Sequence, residues 1–371
     1  MVTKYENCRF LVIITFMDKL YLEHIEKCYD DWSLSLDLHV EPGEIMTLLG
    51  PSGCGKTTTL RIIAGFIHAD AGHLHLDEKI IDDVPPYQRN IGVVFQDYAL
   101  FPHMNVFKNI AFGIRMKRQY SKLAIRERVE ELLALVGLEG YEHRYPEQLS
   151  GGEQQRIALL RSIAPHPDIL LLDEPLSALD FQLRKRLRQE IKNVQRRLGI
   201  TTIYVTHDQE EAMSISDKIT VMKDGRVQQI GSPVDIYQHP KTDYVAQFVG
   251  MSNVVDGIIR EHIRGHFLVE SSSYTFTIPA RKGYSVQDRV TFFFRPEESF
   301  LSVQPASKNT IGGTIVEHEY LGAEILTTVS TRNQQLYIVS NYIKDDAFIG
   351  RETTPVYINF PVEACKIVER V

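Results

Sequence analysis

The chain has 371 residues, 43% hydrophobic and 24% charged, with a formal net charge of −7, an ordinary composition with room for two or three domains. That balance gives no basic footprint for DNA or RNA, so no nucleic-acid partner is expected. The nearest apolar run to a membrane span, Phe10 to Phe16, has seven residues against the ~20 a bilayer requires, so any membrane role must come through a partner.

In chain order, residues 1–16 carry no signal-peptide or transit pattern, and Leu20–Ile25 reads as a first strand just after Met17. The expectation is that translation begins at Met17 and that residues 1–16 are a dispensable extension. Ile45–Leu49 reads as a buried strand and Lys56 to Phe66 as a helix. Between them Gly50-Pro51-Ser52-Gly53-Cys54-Gly55-Lys56-Thr57 fits G-x-x-x-x-G-K-[ST], a loop whose glycines let backbone N–H groups close on phosphate oxygens at a helix N-terminus. Ile91–Phe95, Ile169–Leu172 and Ile203–Val205 are short, apolar and β-rich. Leu123, Ile125, Val129, Leu132, Leu133 and Val136 repeat at helical spacing, as do Leu183, Leu187, Ile191, Val194 and Leu198, which stop at Gly199. Arg184, Lys185, Arg186, Arg188 and Lys192 read as a solvated face of that last helix, with Glu190 among them. The alternation predicts an α/β fold with a largely parallel sheet. Ser232 to Gln247 reads as a helical connection. Beyond Gly250 short strands take over, at Val254–Ile259, Tyr274–Ile278, Val290–Phe294, Thr314–Tyr320, Gln335–Val339 and Pro355–Ile358, and predict a small all-β barrel or sandwich.

The chemistry-bearing positions lie in the α/β part. Lys56 reaches the β- and γ-phosphates of a bound nucleotide, and Thr57 ligates Mg²⁺. Asp173, at the end of an apolar strand, is placed to hold Mg²⁺, and Glu174 to orient and deprotonate a water. Ser150-x-x-Glu153 is a capping box. Gly151 and Gly152 inside it are poor helix formers, which makes sense where backbone must approach an anion. Four scattered cysteines, Cys8, Cys28, Cys54 and Cys365, argue for a reducing compartment with no disulfide framework or zinc site. Cys54 is a bystander in the loop, though a thiol at a helix N-terminus is open to some acidification.

The order of phosphate loop, Gln96, Leu149–Gln154, Asp173-Glu174, Ser177–Asp180 and His207 resembles the ATP-binding cassette (ABC) ATPases over residues 18–250. The resemblance implies an α/β P-loop NTPase cassette over 17–248, with a helical subdomain at about 97–164. It also implies ATP and Mg²⁺ as ligands, with Gly50, Ser52, Gly53, Gly55, Lys56, Thr57 and Thr58 around the phosphates. Tyr29 would stack on adenine. Two cassettes would pair head to tail, most simply as a homodimer, so that Ser150, Gly151 and Gly152 of one face the phosphate loop of the other. Gln96 would sense Mg²⁺ and the water, Asp180 would act across the dimer, and His207 would grip the γ-phosphate.

The β-rich tail, 249–371, with Phe293–Glu298 and Glu319–Gly322, is similar to the OB-like regulatory domain of bacterial importer ATPases. This implies a peripheral protein at the cytoplasmic face of the inner membrane, an integral membrane permease and, indirectly, a solute-binding protein. Ferric iron or a polyamine is the expected solute, with sugar, sulfate or molybdate as alternatives. The apolar segment Tyr98–Met104 is expected to receive a permease helix at Leu100 and Phe101, against the alternative of plain core packing. A soluble ABC ATPase acting on the ribosome or nucleic acid is the rival from another class. A P-loop kinase or GTPase does not account for Leu149–Gln154.

Overall fold

A computed structural model describes residues 19–177, 179–272, 274–332, 334–341 and 353–370; the expectation about residues 1–16 lies outside them. The chain divides into two compact units, one running to Val227 and the other starting at Gln228.

The first unit is built on β1 (Leu20–Tyr29), β2 (Trp32–Val40), β3 (Ile45–Leu49), α1 (Lys56–Ala64), β4 (Ala71–Leu76), β5 (Lys79–Ile80), β6 (Ile91–Val94), α2 (Val106–Met116), α3 (Lys122–Leu135), α4 (Gly151–Ile163), β7 (Ile169–Asp173), α5 (Phe181–Leu198), β8 (Thr201–Thr206), α6 (Gln209–Ile215) and β9 (Lys218–Lys223). With β10 (Arg226–Gly231) the strands form one sheet in the order β5-β4-β1-β2-β10-β9-β3-β8-β7-β6. The centre is parallel, as the alternation predicts: β6 with β7, β7 with β8, and β3 with both β8 and β9. Every residue of β3 and β8 is buried, as expected of strands covered on both faces. The arm β5-β4-β1-β2 is antiparallel and falls outside the predicted pattern. Its β2 buries Leu34, Leu36, Leu38 and Val40 while the residues between them stay exposed. That period of two marks a half-buried strand.

Helices α2, α3 and α4 share one core with the parallel strands. Ile110, Val129, Leu132, Ile157 and Leu160 belong to the same apolar cluster as Ile45, Val94, Leu170, Leu172 and Tyr204. The loops at the carboxyl ends of β3, β7 and β8 are thereby fixed from two sides, and these carry the candidate site.

After the end of β10 the second unit carries two short helices, α7 (Pro233–Gln238) and α8 (Asp243–Phe248), in the stretch read as a helical connection. Ten strands follow: β11 (Asn253–Ile263), β12 (His266–Ser271), β13 (Tyr274–Pro279), β14 (Arg289–Phe294), β15 (Phe300–Ser302), β16 (Asn309–Tyr320), β17 (Glu324–Ser330), β18 (Gln335–Asn341), β19 (Pro355–Phe360) and β20 (Lys366–Val368). They make two five-stranded sheets, β13-β12-β11-β14-β20 and β15-β19-β16-β17-β18. The sheets enclose one core in which Phe294 and Phe360 stack with ring centroids 3.9 Å apart. The predicted all-β character holds. Six of the strands were read from the sequence; β15 and β20, of three residues each, are too short to stand out, and β12 and β17 were not recognised.

Candidate functional site

The phosphate loop is shaped by its glycines. A Cβ on Gly50 would lie 2.5 Å from the Met222 carbonyl oxygen, so no side chain fits there. Gly55, the residue capping α1, has φ +107°, and a Cβ on it would lie 2.8 Å from Leu34 Cδ1; glycine alone suits both demands. Lys56 is only 5% exposed and folds back over the loop, its Nζ donating to the carbonyls of Gly50 (2.8 Å) and Pro51 (2.9 Å). Ser52 and Gly53 are exposed at the loop's outer edge, and Thr58 is half-buried in the first turn of α1. Cys54 is buried, and that burial pushes its thiol up, outweighing the opposing pull of Lys56. This runs against the expectation of acidification: desolvation of the thiolate outweighs Lys56 and the backbone N–H groups of Cys54 and Lys56. Tyr29 is exposed, with its ring 5.8 Å from that of Trp32. Trp32, passed over in the sequence, sets its Cζ2 and Cη2 edge against Gly55.

The acidic pair closes the other side. Thr57 Oγ1 donates to Asp173 Oδ1 at 3.3 Å. Burial holds the Asp173 carboxyl above its ordinary range despite that hydrogen bond. Glu174 has φ +45°, an uncommon conformation for a side-chain-bearing residue, and its N–H donates to Val205 O at 3.0 Å. His207 Nδ1 lies 3.1 Å from Glu174 Oε1. Gln96 Nε2 donates to Ser177 Oγ (3.2 Å), which donates in turn to Glu174 O (3.0 Å). The structure thus brings Lys56, Thr57, Gln96, Asp173, Glu174 and His207 to one end of the sheet.

Ser150, Gly151 and Gly152 are placed elsewhere. A Cβ on Gly151 would face Leu179, and one on Gly152 would face Leu183 and Leu187. The capping box is formed: Ser150 N donates to Glu153 Oε2 (2.7 Å) and Glu153 N to Ser150 Oγ (3.4 Å). The bond from Ser150 N is the main cause holding the Glu153 carboxyl below its usual range. Asp180 caps α5, its Oδ1 accepting from Leu183 N at 3.0 Å.

The segment after Gln96 is turned inward at Tyr98, Leu100 and Phe101 and exposed at Ala99, Pro102 and His103. Tyr98 is buried, Leu100 packs on the core of α2–α4, and Phe101 lies 4.7 Å from Phe112. Asn109, 0% exposed, pins the backbone by donating from Nδ2 to Met104 O (2.9 Å) and accepting at Oδ1 from Phe101 N (2.9 Å). Core packing, the alternative reading of this segment, thus accounts for Tyr98 and for part of Leu100 and Phe101. The exposed aromatic rings nearby are Phe66 and Phe95.

The basic face of α5 is solvated as expected at Lys185 and Arg186 but needs a second correction at two arginines. Arg188 is buried and pairs with Glu210 at 2.8 Å, and half-buried Arg184 pairs with Asp208 at 3.2 Å. Helical spacing marks which residues face the apolar core, but it does not show that α6 supplies acids to the opposite flank.

Residues 34–177 match the family model described as ABC transporter. The chain is 46% identical over 336 residues to a spermidine/putrescine import ATP-binding protein of Clostridium novyi, covering 91% of this chain and 93% of that protein. The chain belongs to the ABC transporter family. It is an ATP-binding ATPase subunit of that family. An Fe(3+) ions import ATP-binding protein of Brucella abortus is 40% identical over 350 residues, covering 94% of this chain and 97% of the relative. Among solved structures, cbiO1 from Clostridium perfringens, part of the ABC transporter complex cbiONQ, matches with TM-score 0.55 and 29% identity over 59% of this chain and 90% of that one. The ATP-binding cassette MJ0796, a dimer bound to ADP and Pi, matches with TM-score 0.52 and 30% identity over 58% of this chain and 98% of that one. These solved ABC cassettes are nearly covered by just over half of this chain, which leaves the additional β-rich unit outside the likeness.

Among the described residues no group of three His, Cys, Asp or Glu side chains is arranged to hold a metal ion. An ABC ATPase does not need one. Mg²⁺ is ordinarily held by a hydroxyl, a carboxylate, waters and the nucleotide's own phosphates; Thr57 Oγ1 and Asp173 Oδ1, 3.3 Å apart, are groups of the first two kinds.

Proposed function

We propose that the chain hydrolyses ATP to drive import of a solute through a separate membrane permease, as one of two cassettes at the cytoplasmic face of the membrane. The observation that carries this reading is the meeting, beside the phosphate loop, of Thr57 with Asp173 and of Glu174 with His207. Lys56 exchanges its contacts with Gly50 and Pro51 for the β- and γ-phosphates. Thr57 and Asp173, with Gln96 alongside, would hold Mg²⁺, which would neutralise phosphate charge. Glu174 accepts the proton of the attacking water, while His207 steadies the γ-phosphate and limits the freedom of the Glu174 carboxylate. Tyr29 stacks on adenine, and Trp32 backs it.

Ser150, Gly151 and Gly152 lie on α4, against the α5 region and outside this group. Exposed Ser150 and Gly151, at a helix N-terminus, suit the γ-phosphate held by a second copy. That pairing leaves Asp180 to meet the partner. The solute is a polyamine in the first reading, supported by the spermidine/putrescine import relative. Ferric iron is the second, supported by the 40% identical iron-import relative. The solute itself is held by the permease and a solute-binding protein.

ATPase assays test the hydrolytic part directly. Glu174→Gln is expected to retain ATP binding while turnover falls by about 10²–10⁴-fold, and chelation of Mg²⁺ to stop turnover of the native protein. Full activity in the Glu174→Gln protein would remove Glu174 from the base role.

A further inference from the structure

We infer that Arg184 is a positioning residue that ties the turn at Leu179–Asp180 to the loop carrying His207. This rests on the roles proposed above for Asp180 and His207. Arg184 stands in the first turn of α5, and its guanidinium spans two loops. Nη2 donates to Leu179 O at 3.1 Å, and Nη1 donates to Asp208 Oδ2 at 3.2 Å. Nε faces Glu211 Oε1 at 3.8 Å, within ion-pair range but beyond a hydrogen bond. One rigid, planar cation thus bridges the residue before Asp180 and the residue after His207. Lysine, with a single donor atom, cannot reproduce that fork.

The receiving side is equally fixed. Asp208 Oδ1 accepts from Glu211 N (3.1 Å) and caps α6, and Asp208 N donates to Thr206 Oγ1 (3.0 Å). Thr206 Oγ1 donates to Glu211 Oε2 (2.8 Å), which also accepts from the hydroxyl of buried Tyr204 (3.0 Å). His207 is exposed, and the residues on both sides of it are held by this network. A displacement at Leu179–Asp180 therefore pulls on Asp208 through Arg184 and moves the imidazole relative to Glu174. Contact made by a second cassette at Asp180 is read in this way at the γ-phosphate end of the same subunit.

The test measures ATPase kinetics and thermal stability of the full chain carrying Arg184→Gln, Arg184→Lys, Asp208→Asn or the Arg184→Gln/Asp208→Asn pair, beside His207→Ala. We expect kcat to fall about tenfold or more in Arg184→Gln, since small misplacements of reacting groups cost that much. KM for ATP should stay within about twofold because the phosphate loop is untouched. Arg184→Lys should recover only part of the rate, and the double variant should be no slower than the worse single one. Native kcat in a folded Arg184→Gln protein, or losses that multiply in the double variant, would overturn the inference. Should Arg184→Gln fail to fold, Asp208→Asn against its own native control carries the same kcat-against-KM criterion. His207→Ala separates the two layers: turnover that survives it removes the proposed role of His207 itself. Turnover that is lost there but native in Arg184→Gln removes only the coupling.

Discussion

At the scale of the residue, two backbone conformations define the site. Glu174 takes the left-handed conformation immediately after β7. Such strain, on the order of 1–3 kcal/mol, persists only where the surroundings over-determine it; the bond from Glu174 N to Val205 O and the contact with His207 do so. Gly55 shows the converse, with φ +107° and a side chain's worth of space already taken by Leu34. Gly55→Ala is therefore expected to cost about 1–3 kcal/mol of stability and to abolish ATP binding, measured by denaturant unfolding and nucleotide titration. Gly53→Ala, at φ +81° with open space around it, should incur backbone strain alone and keep measurable binding; equal behaviour of the two variants would contradict this account of the loop. Much of this was legible, because the glycines, Lys56, Thr57, Asp173 and Glu174 sit at fixed offsets from strand ends. Trp32 and Arg184 were not, because what matters about them is a neighbour distant in sequence: Gly55 for one, Asp208 for the other.

At the scale of the element, helix caps and buried polar groups do the placing. Ser121, Ser150, Asp180, Asp208 and Ser232 each cap a helix through a side-chain oxygen, and caps of this kind contribute about 1 kcal/mol each. Periodicity located α3 and α5 to within one or two residues because each has an apolar stripe against a core. Of the antiparallel arm it gave only β1, because β2 alternates rather than running apolar, and it could not decide between docking and core packing for Tyr98–Met104, because loops carry no period.

In the second unit, Arg295 is 2% exposed. It donates from Nη1 to Ala246 O (2.9 Å), Met251 O (2.9 Å) and Ser252 Oγ (2.7 Å), and from Nη2 to Tyr237 O (2.7 Å). Burial pulls the guanidinium's pKa down from its ordinary value, yet these acceptors and the Tyr237 ring 4.0 Å away hold it in place. Arg295→Met should strand several carbonyls at about 1–3 kcal/mol each and loosen α7 and α8. Hydrogen exchange from Tyr237 to Ser252 should accelerate while α1 stays protected. Unchanged exchange there would show that the helices are held by other contacts.

At the scale of the whole molecule, the parallel sheet gathers one half of a nucleotide site at the carboxyl ends of β3, β7 and β8. The α4 N-terminus stays against α5, and in the proposed pairing a second chain supplies the other half. The second unit is a β-rich body with its own aromatic core. Near Gly250 the sequence changes period, from helical spacing to short strands. The contact division falls earlier, at Val227/Gln228, and places α7 and α8 with the β-rich unit. Arg295 explains the difference, since it binds both helices across tens of residues of sequence and leaves no local signal.

The claim that this ATPase works on a permease is tested most directly by tagging the Glu174→Gln protein, trapping it with Mg-ATP and identifying what co-purifies from solubilised membranes. An integral membrane permease in stoichiometric amount, with two copies of the cassette, is the predicted result. Ribosomal or nucleic-acid partners with no permease would contradict it.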